Sequence, residues 1–288
     1  MGRSASRIRF LKTLWLVVLA AGVLQGAAAA QERSVWSIDD NVSASYRLTD
    51  FHYVEPSDTC ALAVCTNAPQ TDYFDREYGF IDGFQASASG LLLRERLYAR
   101  ARYDWTSGYV RYQGYTQSGG AVPSTVSGAV ISDYSVRLGA AFPERSVMAV
   151  PFFEYGHHAW RRMVGVGTGQ AYEEDYRHDY MALGVLVQMA FTDALVASIY
   201  ASAGQTMNPA ISVPAYDFSQ ALGTAALVKA GASLDFRVSR RLGVYGAVRY
   251  TRFSYGQSVA QPSGSLVIME PQSNTVMTSY EGGMRFFF

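Results

Sequence analysis

The sequence predicts an all-β protein, a transmembrane up-and-down antiparallel β-barrel of about ten strands, with eight and twelve as the alternative counts. Three observations predict it. The C-terminal segment is rich in aromatic residues and alternates between apolar and polar positions, and the N terminus has a basic stretch followed by an apolar one. Between them, segments with the same apolar–polar alternation are connected by short turns and long loops in regular succession. Composition agrees, since 20 Tyr, 15 Phe and 26 Gly accompany only 17% charged residues. Aromatic girdles and small residues at crowded interior positions would account for this balance.

The C-terminal segment alternates between apolar and polar positions, with charged Glu281 and Arg285 on one parity and an apolar set on the other: Tyr280, Gly282, Met284, Phe286 and Phe288. Successive side chains of a strand face opposite sides, so one face is suited to lipid. The segment resembles the C-terminal strand of Gram-negative outer-membrane β-barrels, where a terminal Phe is the assembly signal. The resemblance implies that role for Tyr280, Phe286 and Phe288, with the outer-membrane assembly machinery as a partner.

The N-terminal stretch predicts a secretory signal peptide over 1–30, followed by a single barrel domain over 31–288. Its features are a basic start, an apolar run of about eleven residues at 14–24 and a small-x-small cleavage site at Ala28 and Ala30. A membrane anchor is the alternative, but it needs about 20 apolar residues. Removing the signal takes away four of the 24 basic residues, leaving 20 against 24 acidic. This mildly acidic balance argues against nucleic acid as a partner.

Turns and loops alternate along the chain. Short breaks at 93–95, 143–146, 192–193 and 239–241 alternate with longer polar stretches at 54–75, 116–129, 163–176, 205–219 and 256–273. Short periplasmic turns and long outer loops are typical of outer-membrane barrels. Five loops and four turns separate ten strands, and the even count places both termini in the periplasm. A soluble β-sandwich is the alternative, but it does not explain the signal peptide, the loop asymmetry and the terminal Phe together.

Strand alternation also predicts a charged lumen. The segments at 97–105, 134–142, 178–191 and 228–238 alternate clearly, whereas 41–53 and 77–92 do so less clearly. The charged side chains predicted to face inward are Arg47, Arg100, Arg102, Asp104, Arg137, Glu154, Lys229, Arg249, Glu281 and Arg285. Because unpaired buried charges are costly, we expect either a paired network filling the barrel or a narrow hydrated path. A path with this basic excess would favour a small polar or anionic solute.

Two histidines give a weak candidate site. By parity, His158 and His178 share the lumen face with Glu154, at what would be the rim beside the third long loop. Such a cluster could act as a general base or hold a metal. The alternative is a hydrated rim where histidines pair with loop carboxylates, and we expect no metal and no cofactor.

The two cysteines, Cys60 and Cys65, are separated by four residues in the first long loop. In an exported protein, we expect them to form a local disulfide.

The predicted strand count is also that of the omptins, the outer-membrane proteases. Their site uses an Asp and a His on one face of a strand, together with a facing Asp pair. Here His178 and Asp179 are adjacent and therefore point to opposite faces, and the pair at 39–40 is at the wrong end of the barrel. Outer-membrane lipid A deacylases use a His-x-Ser pair, which is absent at all four histidines. No catalytic residues are predicted.

Function is therefore left among three classes. The leading hypothesis is a narrow pore or a passive surface barrel in the outer membrane of a Gram-negative bacterium, surrounded by lipid and lipopolysaccharide. The alternatives are an enzyme with a site at the outer rim and an adhesin or ligand-binding barrel acting through its loops. For the last, an aromatic edge of Tyr109, Tyr112 and Tyr115 is the candidate surface.

Overall fold

The computed structural model describes residues 38–57, 72–93, 96–115, 125–169, 171–263 and 266–288. The predicted signal peptide over 1–30 and the predicted Cys60–Cys65 disulfide lie outside the described residues. Within the described ranges, no helix has both the length and the apolar character needed to cross a membrane.

The described residues form ten long strands and four short ones. The long strands are β1 (Asn41–Pro56), β2 (Tyr73–Leu92), β3 (Leu97–Gly114), β4 (Val126–Ala140), β6 (Val147–Val164), β7 (Tyr172–Ala190), β8 (Leu195–Val213), β10 (Ala226–Arg237), β11 (Leu242–Tyr255) and β14 (Ser273–Phe287). The short strands are β5 (Phe142–Glu144), β9 (Phe218–Ala221), β12 (Gln261–Ser263) and β13 (Leu266–Ile268).

The ten long strands close into an antiparallel barrel in chain order. Each pairs with the next long strand, and β1 pairs with β14 to complete the ring. Two of the short strands extend this sheet, since β5 pairs with β6 and β9 pairs with β8. The other two, β12 and β13, form a separate hairpin. Closure leaves no long strand with an unpaired edge, as a lipid environment requires. The predicted up-and-down barrel of ten strands is confirmed.

The two ends of the barrel differ in their connections. Asn41 pairs with Phe287, so both termini of the described barrel lie at one end, together with the short turns. We call this the terminal end. The five longer connections lie at the opposite end, which we call the loop end.

The strands present an apolar outer face and a buried inner face. Leu183 and Met284 are 70% and 59% exposed on the outer face, whereas Tyr98 and Tyr180 are buried inside. The terminal residues follow the same parity, with Tyr280, Phe286 and Phe288 outside and Glu281 buried in the lumen. Alternation along each strand therefore separates lipid-facing from lumenal side chains, as expected from the sequence.

Several strands extend farther toward the loop end than predicted. β7 begins at Tyr172 and β8 ends at Val213, inside stretches predicted as the loops 163–176 and 205–219. These stretches were predicted as loops because their residues are polar. Backbone hydrogen bonds between strands do not depend on side-chain polarity, so the strands continue through them. The predicted aromatic edge is also wrong: Tyr109 faces outward, but Tyr112 has the opposite parity and is buried in the lumen.

Candidate functional site: the barrel lumen

The lumen is filled in layers, beginning with an apolar layer at the terminal end: Ile38, Leu91, Tyr98, Ala141, Met148, Val150, Phe152, Leu186, Ala190, Val196 and Phe287. In the turn before β1, the Asp39 carboxylate accepts a hydrogen bond from Gln188 Nε2 at 3.0 Å. Burial raises the pKa of Asp39 to about 7. This layer closes the terminal end around a carboxyl that the sequence interpretation had assigned no role.

Above it, two carboxylates bind three guanidinium groups. Asp104 lies 2.7 Å from Arg47 and 2.8 Å from Arg102. Glu281 lies 2.6 Å from Arg102 and 3.0 Å from Arg249. Arg102 therefore joins the two acids into one chain of ion pairs. Because Arg102 is on β3 and Glu281 on β14, the contact reaches past the two intervening strands.

A second group of charges lies on the opposite wall. Arg137 donates two hydrogen bonds to Glu154 at 2.9 and 2.5 Å, and Lys229 donates to the same carboxylate at 3.0 Å. Lys229 also donates to the Tyr180 hydroxyl at 2.5 Å, which in turn donates to Asp133 at 3.0 Å. The only lysine remaining after residue 30 is thus held between two acids and a phenol.

Arg137 is held by aromatic rings as well as by its acid. Its guanidinium lies 3.8 Å from the Phe152 ring centroid and 4.7 Å from that of Tyr200. Both rings occupy space left by glycines: a Cβ on Gly184 would lie 2.5 Å from Phe152, and one on Gly231 would lie 2.5 Å from Tyr200. Close approach therefore requires glycine at these two positions.

Not all predicted charges join these groups. Arg285 lies 2.6 Å from Asp235 rather than beside Glu281, since four residues along a strand span about 13 Å. Arg100 donates to Ser87 Oγ at 3.3 Å, and no carboxylate lies within 4 Å of it in the described part. The sequence interpretation left Asp133 and Asp235 out of the charged set, although parity with Arg137 and Lys229 could have identified both.

The two histidines lie inside the lumen rather than at a hydrated rim. His158 and His178 are 2% and 1% exposed and stack with ring centroids 4.9 Å apart. Nδ1 of His158 is 3.5 Å from Asp133, and Nδ1 of His178 is 2.8 Å from the Tyr255 hydroxyl. Glu154 binds the basic groups described above instead. In the residues that the structure covers, no three side chains are arranged to hold a metal ion.

A large aromatic layer covers the histidines. Trp160 stacks on Tyr176 at 5.0 Å and meets the edge of Tyr53 at 4.9 Å. Phe253 lies 4.9 and 4.8 Å from the rings of His158 and His178. Because β6 and β7 extend beyond the histidines toward the loop end, Trp160 and Tyr176 can pack over the imidazoles and separate them from solvent.

One guanidinium organises a cluster of acids at the loop end. Arg162 is buried and lies 2.6 Å from Glu77 and 2.7 Å from Glu174. It also binds Asp75 and is 3.7 Å from Glu55. Four carboxylates around one cation leave an excess of negative charge beside the last long connection.

Glu270 attaches the described part of that last connection to the barrel mouth. Its carboxylate accepts hydrogen bonds from Tyr176 at 2.7 Å and Tyr53 at 3.3 Å, and its backbone N–H donates to Ser258 at 2.8 Å. Burial, followed by the negative charge of Glu174, raises the pKa of Glu270 to about 8. The carboxyl group is therefore protonated at neutral pH, which limits repulsion from the adjoining acids.

Little free volume is left between these layers. Two cavities provide ≈ 40 Å³ and ≈ 30 Å³ to the centres of water molecules. Arg100, Arg137, Tyr200 and Arg249 line both of them. One water needs about 10–15 Å³ by this measure, so the cavities hold only a few waters.

The first prediction concerns Glu270. The Glu270 carboxyl group loses its proton near pH 4.5 in the unfolded chain and near pH 8 in the folded chain. The stability that the protonated Glu270 contributes is therefore complete below about pH 4.5 and is lost as the pH rises through about 8. Neighbouring charges act on the same carboxyl group. The charge of Arg162 favours its ionised form, whereas Glu174 and Glu55 disfavour it. We expect a spin label at Val259, with both cysteines changed to Ser, to become more mobile between pH 6 and 9.

The control for this measurement is Glu270→Gln, which cannot ionise but retains an acceptor for the tyrosine hydroxyls. Its label mobility should be the same at both pH values. An equal pH response in Glu270→Gln and in the native sequence would contradict the assignment.

The second prediction concerns the space beneath Tyr200. Gly231→Val would push against the Tyr200 ring and should lower the free energy of unfolding by about 1–3 kcal/mol. Ala232→Val, on the neighbouring outward position, is the control and should change it little. Denaturant unfolding of the protein in lipid bilayers measures both; equal effects of the two substitutions would contradict the packing argument.

The chain matches no protein-family model and no curated relative in sequence. Among solved structures, the outer membrane protease OmpT of Escherichia coli superposes with a TM-score of 0.54 at 8% identity, covering 87% of this chain and 97% of that one. Ail of Yersinia pestis gives a TM-score of 0.32 at 10% identity and 87% and 99% coverage. The Pseudomonas putida toluene transporter TodX gives 0.32 at 9%, with 90% and 93% coverage.

These similarities concern the fold. TM-scores of 0.32 support no detailed comparison, and identities of 8–10% carry no information about activity. The OmpT superposition covers most of both chains and so concerns the barrel as a whole. The chain therefore has the fold of the Gram-negative outer-membrane β-barrels.

Proposed function

We propose that this protein is a closed surface barrel of the outer membrane, which does not conduct solutes through its lumen. In this proposal the segment 1–30 is a signal peptide, the terminal end faces the periplasm and the loop end faces outward. The C-terminal residues Tyr280, Phe286 and Phe288 serve as the assembly signal for insertion. The single observation that carries the proposal is that side chains fill the lumen from one end to the other.

Each layer contributes to closure in a different way. The apolar layer around Tyr98 and Phe287 blocks the terminal end, and the aromatic layer around Trp160 blocks the lumen below the loops. Between them, the ion pairs of Arg102 with Glu281 and of Lys229 with Glu154 cross the remaining space. A conducting path would have to break both packing and ion pairs.

The charge balance favours a network over a hydrated path. In the middle of the lumen, adding Asp133 and Asp235 to the three predicted acids gives five acids against the seven predicted bases. All of these bases except Arg100 have an acidic partner within 4 Å in the described part of the chain. Water is scarce in the cavities, and removing one member of a buried pair leaves its partner unsolvated. The lumenal charges therefore stabilise the closed barrel more than they would select a solute.

The third prediction tests this closure through Glu281. Glu281→Ala would leave Arg102 and Arg249 without their shared acid, which should lower stability by about 3–5 kcal/mol. The heat-modifiable band on a gel should then unfold at a lower temperature. Glu173→Ala, which removes one of the two acidic partners of the exposed Arg161 on the outer face, is the control and should cost no more than about 1 kcal/mol.

The same variants are measured in planar bilayers. We expect no conductance steps from the native protein or from Glu281→Ala. Unchanged melting of Glu281→Ala together with a shift of the reversal potential toward anions would instead indicate a hydrated path and overturn the proposal.

The fourth prediction tests orientation. A protease site inserted at Gly167, where an added Cβ would meet no atom within 4 Å, should be cleaved on intact cells. The same site at Arg145, whose side chain is 87% exposed in a short turn, should be protected until the outer membrane is opened. Cleavage at Arg145 alone on intact cells would show the opposite orientation.

A further inference from the structure

Two arginines share one tyrosine ring on the outer face at the loop end of β2 and β3. The Arg76 guanidinium lies 5.3 Å from the Tyr78 ring centroid and 4.7 Å from that of Tyr73. Arg111, from the neighbouring strand, lies 5.9 Å from the same Tyr78 ring. We call Arg76, Tyr78 and Arg111 the arginine cluster.

Neither arginine of the cluster has an acidic partner among the residues that the structure describes. In the described ranges, no carboxylate lies within 4 Å of Arg76 or Arg111. Arg76 Nη2 donates to Gln113 Oε1 at 2.5 Å, while its buried Nε has no hydrogen-bond partner. Two like charges at one ring repel each other, and a cation–π contact contributes only about 0.5–1 kcal/mol at an exposed site. An anion bridging the two guanidinium groups would remove this repulsion.

The strands beside the cluster continue the basic surface at the same height. Tyr78 pairs with His52 on β1, His52 with Val276 on β14, and Val276 with Arg252 on β11. His52 lies 3.1 Å from Asp50. Arg252 is exposed and has no carboxylate within 4 Å in the described part of the chain.

The outer face on the opposite side is different. Arg161 on β6 lies 3.4 Å from Glu173 and 3.3 Å from Asp175, and His157 lies 2.8 Å from Asp179. Arg161 and His157 thus have acidic partners in the same hairpin, whereas the exposed Arg177 on β7 has none within 4 Å among the described residues. Neither Arg161 nor Arg177 shares an aromatic ring with a second cation in the described part of the chain. The feature that distinguishes the arginine cluster is therefore the pair of guanidinium groups at one ring without an acidic partner.

The cluster lies at the edge of the lipid-facing surface. Phe80, directly below it on β2, is 55% exposed, and Tyr109 on β3 is 71% exposed. Lipid phosphates lie just beyond the hydrocarbon region, at the level of such an edge. Arginine matches phosphate through paired N–H donors, and its weak hydration favours sites of this kind.

We infer that the arginine cluster binds a phosphate group of lipid A, the anchor of the lipopolysaccharide in the outer leaflet. The inference rests on the proposed orientation, since only the outward end of the barrel meets this lipid. Arg76 and Arg111 hold the phosphate from two strands, and Arg252 lies on the same side for a second acidic group. The occupant is charged and lipid-borne, because the site combines unpaired guanidinium groups with an adjoining apolar surface.

The experiment compares two double variants that remove the same charge from opposite sides. Arg76→Gln/Arg111→Gln alters the cluster, and Arg161→Gln/Arg177→Gln is the matched control. The full chain is refolded in phosphatidylcholine bilayers and titrated with fluorescent lipopolysaccharide. We expect the cluster variant to bind about tenfold or more weakly per arginine removed, and the control to bind like the native protein. Lipopolysaccharide should also raise the unfolding temperature of the native protein and the control, but not of the cluster variant.

Three outcomes would overturn the inference. They are equal loss of binding in the two double variants, equally tight binding of dephosphorylated lipid A, and the same thermal shift from inorganic phosphate alone. Heat-modifiability in phosphatidylcholine alone establishes that each variant is folded, and the single exposed variant Arg111→Gln serves if the double variant does not fold. Because conductance and tag accessibility are measured separately, failure here is distinguishable from failure of the closed, outward-facing barrel.

Discussion

The pairing of charges across the lumen is the interaction on which the rest of this structure depends. Arg102 on β3 reaches Glu281 on β14, Arg162 on β6 reaches Glu77 on β2, and Lys229 on β10 reaches Glu154 on β6. None of these pairs joins neighbouring strands. Each contact therefore ties together walls that backbone hydrogen bonds do not connect directly, and each loses its partner if the barrel opens.

Packing and charge support each other inside the barrel. Arg137 is fixed by Glu154 and also by the rings of Phe152 and Tyr200. Those rings fit because Gly184 and Gly231 leave space on neighbouring strands. A guanidinium held in this way has few alternative positions, so less conformational freedom is lost per contact formed. The combination explains how large side chains fill a narrow lumen without leaving a continuous opening.

The outer surface has a different distribution of side chains from the lumen, because lipid rather than protein surrounds it. Most outward side chains in the middle of the strands are apolar, and charged groups are concentrated toward the loop end. On β6 and β7, Arg161 and His157 lie beside acidic partners, whereas Arg76 and Arg111 share one tyrosine ring and have no carboxylate within 4 Å among the described residues. The outer face therefore carries positive charge that is paired at some positions and clustered without an acid at others.

The sequence by itself determined the barrel, its ten strands and which parity faces inward, because these follow from local alternation and from the spacing of turns. Tertiary structure decided which charges meet. Arg285 pairs with Asp235 and not with Glu281. His158 and His178 became buried because β6 and β7 extend beyond them. Such contacts depend on strand register, on tilt and on side chains reaching across the lumen, and alternation along a single strand carries no information about any of these.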